Sequence, residues 1–98
     1  MHVAWLTLDL HLPGVHSLKE KRSVVRPILD GAQRRFAVAA AEVDHQESWQ
    51  RSVLGMAAVS GSAAHARDVI DAVERFVWSF PEVEVLSSER GWAGGEDG

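Results

Sequence analysis

The chain has 98 residues, of which 46% are hydrophobic, and a formal charge of −4 from ten Lys and Arg and fourteen Asp and Glu. This length suits one domain with one modest core. Because the sequence contains no cysteine, it excludes a disulfide framework, a thiolate metal site and a cysteine nucleophile. We find no apolar run of the ~18 residues that cross a membrane and no secretory leader, so we expect a soluble cytoplasmic domain.

Residues 3–12 alternate between two kinds of side chain. Leucines occupy every second position from Leu6 to Leu12, and the positions between them are mostly polar. A period of two predicts a strand with one buried face. The Pro-Gly pair at positions 13 and 14 ends this first strand.

The first helix is predicted to begin at a capping box. The Ser17 hydroxyl accepts a hydrogen bond from the Glu20 amide, and the Glu20 carboxylate reaches back to the Ser17 amide. Apolar residues then recur every three or four positions as far as Phe36, which predicts about five turns of helix. Pro27 lacks an amide donor and Gly31 disfavours helix, so we expect one continuous helix with a kink near Pro27.

Two short apolar runs follow, and we interpret them as the strands of a hairpin. The first covers residues 37–43 and the second covers residues 51–60. Gly55 lies inside the second run, which indicates a β-bulge or a close approach of another part of the chain.

A second helix and a last short strand complete the predicted elements. Ser62 is the expected N-cap of the helix, and Pro81 ends it. The strand is predicted to continue to about Ser88. We expect residues 91–98, which are glycine-rich and acidic, to form a disordered tail after a single domain of residues 1–90.

The predicted order is strand, helix, strand, strand, helix, strand. This is the ferredoxin-like βαββαβ pattern of the α+β class, a four-stranded antiparallel sheet with two helices on one face. Both crossovers contain a helix, and right-handed connections place the two helices on the same side. The other face of the sheet is therefore expected to be open.

Several segments together resemble a known family. Residues 11–22, which read HLPGVHSLKEKR, with Arg35-Phe36, AEVD at 41–44 and WQR at 49–51, resemble the YlxP-like family of small bacterial proteins. The resemblance extends to about Arg90 and implies a ferredoxin-like fold. It implies no activity and no site residues, because the family is one of unknown function. The genes of its members often lie near genes for translation and ribosome maturation, which suggests a function that involves RNA.

The charge is distributed unevenly along the chain. Residues 19–35 hold six cations and two anions, so this segment carries +4 and the rest of the chain carries −8. A uniformly basic nucleic-acid binder is excluded, whereas one basic face is not. We predict that the first helix binds phosphate groups of structured RNA or of a ribosome. The alternative is a solvated helix face. The predicted cations are Lys19, Lys21, Arg22, Arg26 and Arg34.

Two further surfaces are candidates. The loop before the first helix resembles a small anion pocket beside free amides, but it lacks the repeated glycines of a phosphate loop, so a turn with a capping box is the preferred interpretation. The open sheet face predicts a homodimer interface or a second small core, since base stacking needs aromatic residues on both central strands. The pocket residues are His11, Gly14, His16 and Ser17, and the interface residues are Val3, Trp5 and Thr7.

An enzyme is the least supported interpretation. The acidic loop with Glu42, Asp44, His45 and Glu47 offers ligands for a metal ion, but its spacing matches no metal motif, and a charged hairpin loop is the default. No nucleophile, base and orienting group occur together. The sequence therefore predicts no catalytic residue, no cofactor, no metal and no membrane partner.

Overall fold

A computed structural model of the protein describes residues 1–94. Its strands form one antiparallel sheet in the order β2-β3-β1-β4. This arrangement confirms the predicted ferredoxin-like fold. Within residues 1–94, neither helix is both long and apolar enough to cross a membrane. The elements are β1 (His2–His11), α1 (Leu18–Phe36), β2 (Ala39–Asp44), β3 (Arg51–Ser60), α2 (Ala63–Trp78) and β4 (Glu84–Gly94).

The hydrophobic core lies between the two helices and one face of the sheet. The four leucines from Leu6 to Leu12 are completely buried, as are Ile28 of α1 and Val73 of α2. Because the side chains of a strand point alternately to its two faces, the residues between these leucines lie on the other face. The alternation in β1 is thus confirmed, and neither α1 nor α2 covers the second face.

Helix α1 begins at the predicted cap and continues without interruption through Pro27. The Ser17 Oγ accepts a hydrogen bond from the Glu20 amide at 3.0 Å. The Glu20 carboxylate, however, accepts from the His16 amide at 2.7 Å rather than from the predicted Ser17 amide. Gly31 allows α1 and α2 to pack closely, because a Cβ at this position would lie 2.5 Å from Phe76 Cζ on α2.

Gly55 does not produce a bulge. It pairs in regular register with Thr7 on β1 and with Ala41 on β2. The bulge lies instead in β2, where the register shifts between Glu42 and Asp44. A Cβ on Gly55 would lie 3.1 Å from Val43 Cγ1, so the close approach is the alternative that the structure supports.

Strand β4 is longer than the sequence predicts. It continues past Ser88 to Gly94, so residues 91–94, which we expected in the disordered tail, belong to the sheet. The physical reason is pairing, because β1 has ten residues and its first part bonds this segment, with Ala4 opposite Trp92. Residues 95–98 of the predicted tail lie outside the described residues.

Candidate phosphate-binding ridge and open sheet face

The exposed side of α1 carries four of the five predicted phosphate-binding cations. At 100° per residue these four side chains fall within roughly 120° of one another around the helix, and all four are exposed. Asp30 lies among them on the same side. We call this group the cationic ridge; it consists of Lys19, Arg22, Arg26 and Arg34.

Within residues 1–94 the ridge cations make no ion pair within 4 Å, although Asp30 lies among them, four residues from both Arg26 and Arg34. In the described part of the chain, the ion pairs within 4 Å are made by His11, Lys21, Arg51 and Arg90. No ridge cation is therefore held in a direct ion pair, and with Asp30 counted the four cations leave this side of α1 with a charge of +3. Such cations can each offer hydrogen bonds to an external anion, and Arg can do so with two parallel N–H groups.

Lys21 does not belong to this ridge, which corrects the prediction. Its side chain is 3% exposed on the inner side of α1. The Nζ donates to the carbonyl oxygens of His45 at 2.8 Å and Gln46 at 3.1 Å and lies 2.9 Å from Glu42 Oε2. These three contacts use the three N–H donors of the ammonium. Lys21 therefore anchors the β2–β3 loop to α1, and no donor remains for phosphate.

A groove of about 200 Å³ runs along one side of the ridge, between α1 and β2. Arg22, Arg26 and Leu29 contribute to its α1 wall, and Glu42 contributes from β2. Gln33 bridges the two elements by donating from Nε2 to the carbonyl of Ala40 at 3.0 Å. The ridge thus borders a recess in which the apolar Leu29 is flanked by charged side chains, among them the carboxylates of Asp30 and Glu42.

The predicted anion pocket is engaged in other contacts. The Glu20 carboxylate and the Ser17 hydroxyl already accept amides at the start of α1. His11 Nδ1 lies 2.6 Å from Glu84 Oε1, on the face of the sheet away from the helices. Gly14 and His16 are exposed in the loop. A further anion at this helix start would meet the negative charge of Glu20.

The acidic loop likewise serves structural contacts. Glu42 Oε2 accepts from Ser52 Oγ at 2.6 Å as well as from Lys21, and the Asp44 carboxylate accepts from the amide of His45. Within residues 1–94, no group of three or more His, Asp or Glu side chains is arranged to hold a metal ion. The carboxylates of this loop therefore stabilise the hairpin.

The predicted interface residues lie together on the sheet face that the helices leave uncovered, which we call the open sheet face. Trp5 is 39% exposed there, and Val3 and Thr7 are partly buried beside it. Val59 of β3, which pairs with Val3, is 65% exposed. Directly paired residues share a face, so these side chains form one apolar surface.

Four charged side chains at one end of the open sheet face pair with each other, whereas Glu89, which is exposed on the edge strand β4, takes no part in these pairs. Arg51 Nη2 donates to both oxygens of Asp9 at 2.8 Å, and His11 contacts Glu84 as described above. These four residues lie at the end of the sheet where β1 ends and β3 and β4 begin. The centre and the opposite end of the face are apolar.

The open sheet face is not flat. The Trp5 indole lies over Gly91 of β4, where an added Cβ would overlap its ring. On the other side of Trp5 lies a shallow apolar trough of about 290 Å³ over β3 and β2. The trough is lined mainly by small residues: Ala39, Ala41, Gly55 and Ala57.

Sequence reasoning missed the trough and Gly91. Alanine and glycine carry no chemical signal of their own, and their role depends on which strand they pair with. The small residues at 39, 41, 55 and 57 are spaced by two within each run, which places each pair on one face. That spacing could have indicated a smooth surface, but not that Trp5 stands beside it.

A further charged cluster joins α2 to β4. Arg90 donates from Nη2 to Glu74 Oε1 at 2.7 Å and also contacts Asp71, and Ser88 Oγ donates to Glu74 Oε2. The hydrogen bond from Arg90 is the main reason that the pKa of Glu74 lies below its usual value. The same carboxylates raise the pKa of Arg90. This cluster stabilises the packing of α2 on β4.

Fold and surfaces together define a small α+β domain of the ferredoxin-like type with one uncovered sheet face. The chain belongs to a family described as proteins of unknown function, DUF503, whose model matches residues 3–90. It is 41% identical over 76 residues to the uncharacterized protein YlxP of Bacillus subtilis (strain 168), a match that covers 78% of this chain and 83% of YlxP. The resemblance noted in the sequence is thereby confirmed.

Solved structures of other proteins share the fold. The de novo designed protein Foldit4 is similar with a TM-score of 0.55 and 9% identity, over 98% of this chain and 100% of that one. SnoaB, a cofactor-independent oxygenase from Streptomyces nogalater, is similar with a TM-score of 0.51 and 12% identity, over 99% of this chain and 95% of that one. At such identities the likeness concerns the fold alone.

Proposed function

We propose that this protein is a small, non-catalytic binding module for structured RNA or ribosomal particles, which it contacts through the cationic ridge. The observation that carries the proposal is the group of four exposed cations on one side of α1, none of which pairs within 4 Å with a carboxylate of residues 1–94. The proposal places the protein in the cytoplasm, where its targets are.

The spacing of the ridge suits a phosphate backbone. From Lys19 to Arg34 the ridge extends for roughly 22 Å along the helix at 1.5 Å per residue, long enough to meet several phosphates of one strand. Contacts to phosphate supply affinity and position without reading sequence. A ridge of this kind therefore favours recognition by shape and charge, as in structured RNA.

The acidic remainder of the protein supports an oriented contact. The chain outside residues 19–35 carries −8, so RNA is attracted to one side and repelled elsewhere. The paired charges of the α2–β4 cluster and of the open sheet face add no free cation to those regions. We therefore assign the polyanion to the ridge rather than to the exposed arginines outside it, Arg35, Arg67 and Arg75.

The experiment is binding of the purified protein to ribosomal particles and to total RNA at several salt concentrations. The test variant is Lys19→Gln/Arg22→Gln/Arg26→Gln. The matched control neutralises three exposed arginines outside the ridge and changes the net charge by the same amount. That control is Arg35→Gln/Arg67→Gln/Arg75→Gln.

The wild type is expected to lose affinity steeply as salt rises, because binding releases counterions from the RNA. The ridge variant should reduce the slope of log K against log salt by about 3, roughly 1 for each phosphate contact removed. The control should change it much less. Absence of binding by the wild type at low salt, or equal losses in both variants, would overturn the proposal.

A second candidate function is self-association through the open sheet face. The observation that favours it is the exposed apolar surface around Trp5 and Val59, which is larger than scattered single residues would make. The measurement is the molecular mass over a range of protein concentrations. Trp5→Asp should abolish any concentration dependence, whereas Trp78→Asp, at a site 59% exposed on α2, should retain it.

A further inference from the structure

We propose that the occupant of the open sheet face is a second copy of this chain, related by a two-fold axis parallel to the strands, so that Trp5 of each copy lies in the trough of the other. This inference rests on the second candidate function, self-association. It adds a specific geometry of the interface, and an experiment can contradict this geometry while self-association is still observed.

The argument begins with one row of paired residues across the sheet. From β2 to β4 the row reads Ala39, Ala57, Trp5 and Gly91, all on the open sheet face. Two small side chains are therefore followed by the largest one, which leans over a residue without a side chain. The β4 half of the row is raised and the β2 half is lowered, at the same height along the strands.

Such a row is complementary to itself under one particular rotation. An axis that runs along the strands between β3 and β1 exchanges the β2 and β4 sides of the sheet. It places Trp5 of one copy over Ala57 of the other, with its indole directed toward Ala39. The same rotation brings Val3 over Val59. A two-fold interface requires this match of a surface with itself.

An axis perpendicular to the strands does not give this match. It would leave β4 over β4, and the two Trp5 rings would meet while the troughs remained empty. Sheets packed face to face keep their strands within about 30° of each other and stand about 10 Å apart. The axis along the strands satisfies this rule and fills both troughs.

Charge does not oppose the contact. Asp9 is neutralised by Arg51 and His11 contacts Glu84 within each copy, so these four side chains are already paired before the two faces meet. These residues lie at one end of the face, where a polar rim is usual. Glu89, the exposed carboxylate on the open side of β4, lies at the outer margin of the sheet.

The area is sufficient for a specific dimer. The strands have 10, 6, 10 and 11 residues, and at about 3.3 by 4.8 Å per residue the face measures roughly 590 Å². Two copies would therefore bury about 1,200 Å², at the lower end of the range for stable specific interfaces. Both helices lie on the outer sides of such a dimer. Each α1 would present its cationic ridge to solvent, which makes the dimer bivalent for a polyanion.

The experiment is sedimentation equilibrium of the wild type, two variants and their mixture. Trp5→Ala removes the raised side chain, and Ala39→Trp fills the trough at an exposed site of β2. Each variant alone should dimerise at least about 30-fold more weakly than the wild type, because the centre of an interface carries most of its binding energy. Circular dichroism establishes that both variants are folded.

The equimolar mixture of the two variants is the decisive sample. In a mixed dimer, the shortened side chain at position 5 of the first chain faces the added indole at position 39 of the second, and the other contact is unchanged from the wild type. The mixture should therefore dimerise more tightly than either variant alone. Ala64→Trp on α2 is the control for an added exposed tryptophan, and it should dimerise as the wild type does.

The outcomes separate the two proposals. A wild type that stays monomeric at every concentration overturns both self-association and this geometry, and leaves the open sheet face to a different partner. A wild type that dimerises while the mixture gains nothing over its components overturns the geometry alone. Recovery in the mixture supports both.

Discussion

The two exposed surfaces of this protein differ in how their charges are arranged. On the cationic ridge, Lys19, Arg22 and Arg26 lie together, and no carboxylate in the described part of the chain pairs with them within 4 Å. On the open sheet face, the charged residues at one end are bonded to each other, and the surface around Trp5 and Val59 is apolar. The first surface is built for an external anion in water, and the second for a partner that excludes water.

The difference teaches that exposure alone does not define a binding surface. An exposed cation with an internal partner gains little from an external anion, because it must give up a bond to form one. An exposed apolar group gains roughly 25 cal/mol for each Å² that is covered. Whether an exposed group already has a bonding partner within the protein therefore predicts what the surface binds.

The largest loss of stability is expected on replacing Lys21, the cation of α1 whose side chain points into the protein. Lys21→Met leaves Glu42 and two loop carbonyls without their partner, and removing one member of a buried ion pair costs about 3 kcal/mol. Urea unfolding at pH 7 measures the loss. Lys19→Met on the ridge is the matched control and should change stability by less than about 0.5 kcal/mol.

Similar losses of unfolding free energy in these two lysine variants would contradict the distinction between a buried and an exposed lysine on α1. RNA binding tests the same distinction, because Lys19→Met should weaken the salt-dependent affinity. A variant of Lys21 that retains the fold should leave that affinity unchanged, since its ammonium has no free donor.

A smaller effect is expected on the open sheet face at Gly91. Gly91→Ala places a methyl group where the Trp5 indole lies, so the ring must move. Overpacking of this kind costs typically about 1–3 kcal/mol, and the displaced ring should also alter self-association. Gly14→Ala is the control, because nothing lies within 4 Å of a Cβ at that site. Equal stabilities of the two variants by urea unfolding would show that Trp5 does not rest on Gly91.

The smallest effect concerns the paired charges of the α2–β4 cluster. Because the pKa of folded Glu74 is lowered by Arg90, its contribution is present above the usual pKa of 4.5 and is lost as the pH falls through the folded value. Glu74→Gln should therefore lower stability at pH 7 by about 1 kcal/mol or less and by less than that at pH 3. Urea unfolding at both pH values measures it.

The exposed carboxylate Glu82 serves as the control for that titration. Glu82→Gln should not reproduce the change between pH 7 and pH 3. A difference for Glu74→Gln that grows as the pH falls would contradict the assigned direction of the pKa shift.

Much of the fold could be predicted because it follows from local patterns. The capping serines Ser17 and Ser62 both accept amides at the start of their helices. The alternation of leucines in β1 and the bounds of β3 are likewise as predicted. Each of these signals involves residues within a few positions of one another, where the geometry of helix and strand fixes the spacing.

The contacts of Lys21 and Trp5 could not be predicted from local sequence patterns. The two carbonyl acceptors of Lys21 lie 24 and 25 residues further along the chain, and Gly91 lies on a strand whose length was underestimated. The composition of residues 91–94 suggests disorder, and pairing with β1 overrides it. Side chains that depend on distant partners are placed by the register of the sheet.

The sequence by itself determined the element order, the buried face of β1 and the basic character of α1, because these follow from periodicity and composition within single segments. The tertiary structure alone decided which cation points inward, how far β4 extends and that a tryptophan stands beside a trough of small residues. The physical reason is that these features arise where separate segments meet, and the free energy of those contacts depends on pairing rather than on local preference.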